Sequence, residues 1–109
     1  MAARLFRRLD QIGDFRRKHL SFIRTLEDLD IIREIGLHQV SGAPITLRSL
    51  LMCDVGSPAT VQRRLRALKQ LRVVEQKQAS EDRRMVQLHL SRHVLRLYQR
   101  LDRIMLNTR

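Results

Sequence analysis

The sequence predicts a mainly α-helical fold with one small β-hairpin. Through most of the chain, apolar residues recur three and four positions apart, which is the period of an amphipathic helix. From residue 73 to residue 90 they alternate as in a strand, and the polar segment 78–84 interrupts the alternation. A length of 109 residues fits one domain, residues 1–109.

Two helices are predicted in the first part of the chain. Residues 4–23 carry an apolar stripe with arginines between its members. Residues 26–40 begin where Thr25 and Asp28 have the spacing of a capping box, and Leu29, Ile32 and Ile35 form the apolar stripe. A Ser-Gly-Ala-Pro cluster at 41–44 ends this helix.

Two further helices follow a short extended step at 45–46. Thr46 can cap a third helix over residues 47–54, which Gly56 separates from the next. Ser57 followed by Pro58 is typical of a helix start, because the missing N–H of proline costs nothing at the first helical position. The fourth helix is therefore expected to run from residue 58 to about residue 71.

The hairpin comes next, with strands at 73–77 and 85–90. In the second strand Val86, Leu88 and Leu90 share one face. Ser91 can then cap a last helix, whose apolar positions recur at three and four up to residue 107.

The fourth helix has two chemically different faces. At about 100° per residue, Leu65 and Leu68 lie within about 40° of Val61, and all three are expected to face the core. The opposite side gathers Ala59, Arg63, Arg66 and Gln70, and Gln62 and Lys69 flank it. Arginine pairs with guanine edges, glutamine with adenine, and a small residue or Thr60 suits a thymine methyl. An ordinary solvated helix face has the same pattern, so the helix alone leaves both readings open.

The chain is strongly basic, with 22 Lys and Arg against 11 Asp and Glu and a formal net charge of +11. Only Lys18, Lys69 and Lys77 are lysines. Arginine forms planar, bidentate hydrogen bonds to phosphate, which lysine cannot. The charge therefore favours a polyanionic partner, above all nucleic acid, and leaves a solvated basic surface as the alternative.

Two helices joined by a tight turn at 54–58, the second with a cationic outer face, form a helix-turn-helix, and a hairpin directly after it makes a winged helix. Residues 57–63 (Ser-Pro-Ala-Thr-Val-Gln-Arg) and residues 82–91, which begin Asp-Arg-Arg and end Leu-Ser, resemble the recognition helix and wing of the multiple-antibiotic-resistance regulators. This MarR family regulates bacterial transcription. The resemblance implies a winged-helix core over 26–90. Family members usually have glycine where the recognition helix ends, whereas this chain needs a turn without one.

The resemblance also implies duplex DNA as the partner, bound through recognition helix 57–71 and wing 78–85. The residues expected to meet DNA are Ser57, Ala59, Thr60, Gln62, Arg63, Arg66, Arg83 and Arg84. Arg84 is expected to enter the minor groove, where a narrow groove attracts arginine. Asp82 would support the wing by pairing with its arginines; the alternative for Asp82 and Arg84 is a surface ion pair.

The terminal helices, 4–23 and 91–107, carry apolar stripes that are expected to lie outside the winged-helix core. In the family resemblance such helices interlock with a second subunit to form a two-fold homodimer. The expected dimerisation residues are Leu5, Leu9, Ile12, Phe15, Val94, Tyr98, Leu101 and Met105. The alternative is that the two helices pack on each other within one chain.

Catalytic and metal-binding patterns are absent from the sequence, which predicts neither an enzyme nor a cofactor. Cys53 is expected to be a small buried hydrophobe, with its redox activity left open. No apolar run reaches the length of a membrane span, and no secretory signal is recognised at the N-terminus, so a cytoplasmic, nucleoid-associated protein is expected. The operator, any effector, and the choice between repression and activation stay open. The alternative function is a winged-helix module that binds protein or RNA without sequence-specific DNA binding.

Overall fold

A computed structural model of the chain describes residues 1–78 and 85–108. These residues form helices and one two-stranded antiparallel sheet. In chain order the elements are α1 (Ala3–His19), α2 (Leu26–Val40), α3 (Leu47–Met52), α4 (Pro58–Gln70), β1 (Val74–Gln78), β2 (Val86–Leu90) and α5 (Arg92–Leu106). The predicted fold class, mainly helical with a small hairpin, is confirmed.

The first helix is shorter than predicted. It ends at His19 rather than at residue 23, and Leu20 caps it through a backbone N–H bond to the carbonyl of Arg16 at 2.9 Å. The chain turns there because Leu20, Phe22 and Ile23 pack into the apolar contact of α1 with α5. Helix α3 likewise ends two residues early, at Met52.

The capping box predicted at the start of α2 is confirmed. The Thr25 hydroxyl accepts the Asp28 N–H at 3.0 Å, and the Asp28 carboxylate accepts the Thr25 N–H at 3.2 Å. The apolar stripe differs slightly from the prediction. Ile31, Ile32 and Ile35 are buried, while Leu29 is only half-buried.

The main core lies between α2, α4 and the hairpin. Its buried members are Ile31, Ile32, Ile35, Ile45, Leu50, Val61, Leu65, Leu68, Val73, Val74, Leu88, Leu90 and Val94. The predicted extended step at 45–46 lies beside β2, because the Leu88 N–H donates to the Ile45 carbonyl at 2.9 Å and Thr46 bridges Gln87. Backbone hydrogen bonds thus hold the hairpin to the segment before α3, and its buried face packs against the helices.

Helix α5 belongs in part to this core, which corrects the expectation that both terminal helices lie outside it. Val94 is fully buried among the core residues, and Leu95 and Tyr98 pack against them. Burial raises the pKa of Tyr98 to about 12. Ser91 occupies the N-cap position, yet its side chain makes no capping bond; its hydroxyl instead lies 3.1 Å from Nδ1 of His93.

The second apolar cluster joins α1 to α5. Phe15, Leu20 and Leu101 are buried there. The two helices run antiparallel, since Gln11 bonds to Thr108 while Phe15 lies beneath Arg100. The chain measures 49 × 26 × 26 Å, and its radius of gyration of 14.9 Å exceeds the roughly 13 Å expected of a compact domain of this length.

Candidate nucleic-acid interface

Helix α4 is built to present one face outward. Ser57 caps it, accepting the Thr60 N–H at 3.2 Å, and Pro58 occupies the first turn. Val61, Leu65 and Leu68 are buried as predicted. The structure therefore fixes the rotation of the helix about its own axis through its apolar stripe.

The outer face of α4 is polar and cationic. Its exposed members are Ala59, Gln62, Arg63, Arg66 and Gln70. Thr60 is half-buried, and its hydroxyl accepts a hydrogen bond from the Ser57 hydroxyl at 3.0 Å. The residues predicted to meet DNA from this helix thus lie together on one side, with Ser57 and Thr60 at its N-terminal end.

A buried ion pair connects α4 to α2, and the sequence prediction missed it. Nε of Arg64 lies 2.7 Å from Oδ1 of Asp28, and Nη2 lies 2.8 Å from Oδ2. The Asp28 side chain is 0% exposed and that of Arg64 is 18% exposed. The one signal in the sequence is the position of Arg64 on α4, about 60° from the centre of the apolar stripe. A long side chain at that angle can turn toward a neighbouring helix, but the angle does not identify its partner.

The electrostatics of this pair are set by opposing effects. Burial disfavours the charged form of Asp28, but hydrogen bonds from Arg64 and from the backbone N–H groups of Arg24 and Thr25 outweigh it, so the pKa of the carboxyl lies below its ordinary value. The same side-chain bond raises the pKa of Arg64. Both groups are therefore charged at neutral pH.

The exit from α4 uses the turn without glycine that the sequence required. The Val73 N–H bonds to the Leu68 carbonyl at 2.9 Å and the Arg72 N–H to the Lys69 carbonyl at 3.0 Å, the pattern of a Schellman motif. Arg72 takes the left-handed position with φ 59°. A non-glycine residue is strained there, so this turn carries a local cost.

The base of the wing is well defined. Strands β1 and β2 pair from Val74 with Leu90 to Gln78 with Val86. Lys69 of α4 donates to the side chain of Gln76 at 2.8 Å, which ties the hairpin to the helix. The predicted wing-tip residues Asp82, Arg83 and Arg84 lie outside the described residues.

One histidine lies at this wing base. Burial, together with the positive charge of Lys77, lowers the pKa of His89, so its ring is neutral at pH 7. The positive charge beside the hairpin therefore comes from lysine and arginine side chains.

The predicted dimerisation residues fall into two groups. Phe15, Val94 and Leu101 are buried within the chain, whereas Leu5 and Leu9 are exposed. The remaining members, Ile12, Tyr98 and Met105, are half-buried against the contact of α1 with α5. Packing of the two terminal helices on each other, the alternative considered above, therefore accounts for part of their apolar stripes.

Part of the exposed apolar surface lies at the ends of the terminal helices. Because α1 and α5 run antiparallel and Gln11 already meets Thr108, the first turns of α1 extend past the end of α5. Leu5 is 55% exposed, Phe6 67% and Leu106 76%. We call these three exposed apolar side chains the terminal patch.

Other candidate sites are weaker. Cys53 is a free, half-buried thiol packed against the main core. Across residues 1–78 and 85–108, no cluster of three His, Cys, Asp or Glu side chains is placed to hold a metal ion. In the same part of the chain, no helix has both the length and the apolar character to cross a membrane.

Solved structures share this fold. MepR of Staphylococcus aureus, a transcription regulator of the multidrug efflux pump MepA, is 18% identical, with a TM-score of 0.62 over 96% of this chain and 76% of that one. A MepR variant bound to an oligodeoxyribonucleotide is 19% identical, with a TM-score of 0.64 over 95% of this chain and 75% of that one. The chain has the winged-helix fold of MarR-type regulators.

A MarR-family transcriptional regulator from Silicibacter pomeroyi has the same MarR-type fold. It is 16% identical, with a TM-score of 0.56 over 96% of this chain and 66% of that one. No protein-family model matches the sequence, and no curated protein matches it either. The likeness therefore lies in three-dimensional structure, where the winged-helix core and the terminal helices both take part.

Proposed function

We propose that this chain is a transcription regulator that binds duplex DNA as a homodimer. The observation that carries the proposal is the outer face of α4, where arginine and glutamine side chains stand opposite the buried stripe of Val61, Leu65 and Leu68. The fold supports it, because a solved protein of the same fold holds an oligodeoxyribonucleotide. The net charge of +11 supplies attraction to any polyanion.

In this proposal α4 enters the major groove and reads base edges. Arg63 and Arg66 suit guanine, Gln62 suits adenine, and Ala59 or the Thr60 methyl suits the thymine methyl. Ser57 lies at the N-terminus of the helix, where backbone N–H groups and the helix dipole favour a phosphate. The N-terminus of α4 would thus contact phosphate, and the residues that follow it would contact bases.

The wing extends the contact to the neighbouring minor groove. Arg83 and Arg84 would lie against the negative potential of that groove, with Asp82 orienting them. The hairpin base formed by β1 and β2 supports this role, because a hydrogen bond from Lys69 to Gln76 connects it to α4. Helix and wing then contact the same duplex.

Dimerisation would place two copies of α4 about one DNA turn apart. The terminal patch supports this step, because large apolar side chains such as Phe6 are exposed where α1 extends past α5. Burial of these side chains against a second copy would remove them from water and contribute free energy in proportion to the apolar area. Among the predicted dimerisation residues, Leu5 and Leu9 have exposed side chains.

The whole chain, residues 1–109, would act as one domain of a bacterial cytoplasmic protein associated with the nucleoid. A protein- or RNA-binding module is the competing function. It would be favoured by an apolar outer face on α4, whereas the exposed side chains there are mostly charged or polar.

Selection of bound duplexes from a random DNA pool, together with the mass of the protein in solution, tests the proposal. We expect a palindrome with half-sites about 10 bp apart and twice the mass of one chain. A gel-shift titration with duplex DNA and structured RNA separates the competing function. Equal affinity for RNA, or no enriched DNA sequence, would contradict the proposal.

A further inference from the structure

We propose that Arg64 is a positioning residue that holds α4 at the angle from which its outer face reads DNA, acting through the ion pair with Asp28. The inference rests on the proposed function and adds a residue that lies beside the reading face rather than on it. Arg63 and Arg66 point outward, whereas Nε and Nη2 of Arg64 are both bonded to the carboxylate.

The geometry of the pair restricts motion in more than one direction. Two parallel hydrogen bonds of 2.7 and 2.8 Å fix both the distance and the plane of the guanidinium relative to the carboxylate. Arg64 is at the middle of α4, while Asp28 is in the first turn of α2. A tilt or axial slide of α4 against α2 would therefore break at least one bond.

The carboxylate itself is rigidly held. Oδ2 of Asp28 accepts the N–H groups of Arg24 at 2.9 Å and Thr25 at 3.2 Å, in addition to its bond from Arg64. The Asp28 side chain thus both completes the capping box of α2 and binds Arg64 of α4. The orientation of α4 is therefore fixed relative to the first turn of α2.

A second contact nearby supports the same alignment. A Cβ built on Gly56, in the turn before α4, would lie 3.4 Å from Cγ of Glu27. The first turn of α2 therefore lies close to the helix-turn-helix turn as well as to the middle of α4. Negative charge on Glu27 also favours the protonated Arg64.

Aliphatic side chains also join α2 and α4. Isoleucines 31, 32 and 35 of α2 share the main core with Val61, Leu65 and Leu68. Such packing is strong but not directional, so it tolerates small shifts of one helix along another. A buried bidentate pair restricts the relative orientation of the two helices. In other proteins, replacing a whole buried ion pair with apolar groups often leaves stability unchanged. Orientation, more than stability, is what this pair supplies.

Binding measurements on Asp28→Asn test the inference, with Asp30→Asn as the matched control, because Asp30 forms a surface pair with Arg33 on the same helix. The probes are the duplex selected by the wild-type protein and an unrelated duplex, at a temperature where every variant is folded. For Asp28→Asn we expect about tenfold weaker binding to the selected duplex, comparable to the loss of one base contact. Binding to the unrelated duplex stays within about twofold, and the salt slope is unchanged because no phosphate contact is removed.

The control should match the wild type on both duplexes. Unchanged binding of Asp28→Asn to the selected duplex, or an equal loss on both, would overturn the inference. A changed salt slope would overturn it as well, because it would mean that the substitution alters the number of phosphate contacts. Arg64→Lys keeps the charge without the second parallel bond, so a smaller loss of the same kind is expected, and this variant serves if Asp28→Asn does not fold.

A distance measurement separates this inference from the proposed function. Spin labels at the exposed positions Leu37 of α2 and Gln70 of α4, with Cys53 replaced by serine, report the distance between these two sites in the absence of DNA. The distance distribution should be narrow in the wild type and in Asp30→Asn and broader in Asp28→Asn. If the wild type shows no preference among DNA sequences, the proposed function fails, but the distance measurement still reports whether the ion pair holds α4. A distance distribution in Asp28→Asn as narrow as in the wild type would overturn the positioning role.

Discussion

The buried ion pair makes a quantitative prediction for the stability of Asp28→Asn. Asparagine keeps the shape and an oxygen acceptor for the capping box, but it leaves Arg64 without its counter-charge. Removing one partner of a fully buried pair costs about 3 to 5 kcal/mol. Because Arg64 is 18% exposed and retains some contact with water, we expect the lower end, about 3 kcal/mol.

Urea unfolding followed by circular dichroism at pH 7 measures this loss. Asp30→Asn serves again as the control, since the side chains of Arg33 and Asp30 are 60% and 34% exposed. Its free energy of unfolding should change by less than about 1 kcal/mol, as for other surface pairs. A loss below about 1 kcal/mol for Asp28→Asn would refute the view that the pair is buried and intact.

The pH dependence gives an independent test of the same pair. The pKa of Asp28 in the folded chain lies below the ordinary value of 3.8. Its contribution to stability is therefore fully present above that value and is lost as the pH falls through the folded pKa. The stability difference between the wild type and Asp28→Asn should be constant from pH 7 to about 5 and shrink below about pH 4. A difference that grows on acidification would contradict the sign of this pKa shift.

Three other variants and conditions give separate predictions. Arg72→Gly should raise the free energy of unfolding by about 0.5 to 1 kcal/mol in a urea titration, because glycine accepts φ 59° without strain; a loss of stability would argue against the left-handed turn. Phe6→Glu should convert the dimer to a monomer in sedimentation equilibrium, whereas Met52→Glu, at an exposed position on α3, should not; a Phe6→Glu dimer would exclude the terminal patch as the interface. DNA affinity should fall steeply between 50 and 200 mM salt, by about 10³-fold or more for six or more phosphate contacts, and a flat response would contradict phosphate binding.

Local sequence signals were sufficient for most of the fold. The capping box of Thr25 and Asp28, the Ser57-Pro58 start of α4 and the alternation in β2 all depend on residues within a few positions of one another. Helical periodicity also predicted which side of α4 is outward, because its buried stripe has only one opposite face. These features need no knowledge of distant contacts.

Contacts between distant parts of the chain were harder to predict. Asp28 and Arg64 are 36 positions apart, so periodicity offers no way to pair them, and the spacing of Thr25 and Asp28 indicates a helix cap without showing that the carboxylate also binds Arg64. The family resemblance and the apolar stripe of its helix predict that Val94 lies in a dimer interface, whereas the chain buries it in the main core. An apolar stripe indicates that a surface is covered but not which element covers it.

The most direct test of DNA reading by α4 compares Arg63→Ala with Arg33→Ala, an exposed arginine of α2, on the selected duplex and on an unrelated one. We expect Arg63→Ala to lose about 1 to 3 kcal/mol of binding free energy on the selected duplex and to be nearly unchanged on the other. Arg33→Ala should show no loss of specificity. Equal losses on both duplexes for Arg63→Ala would contradict base reading by the outer face of α4.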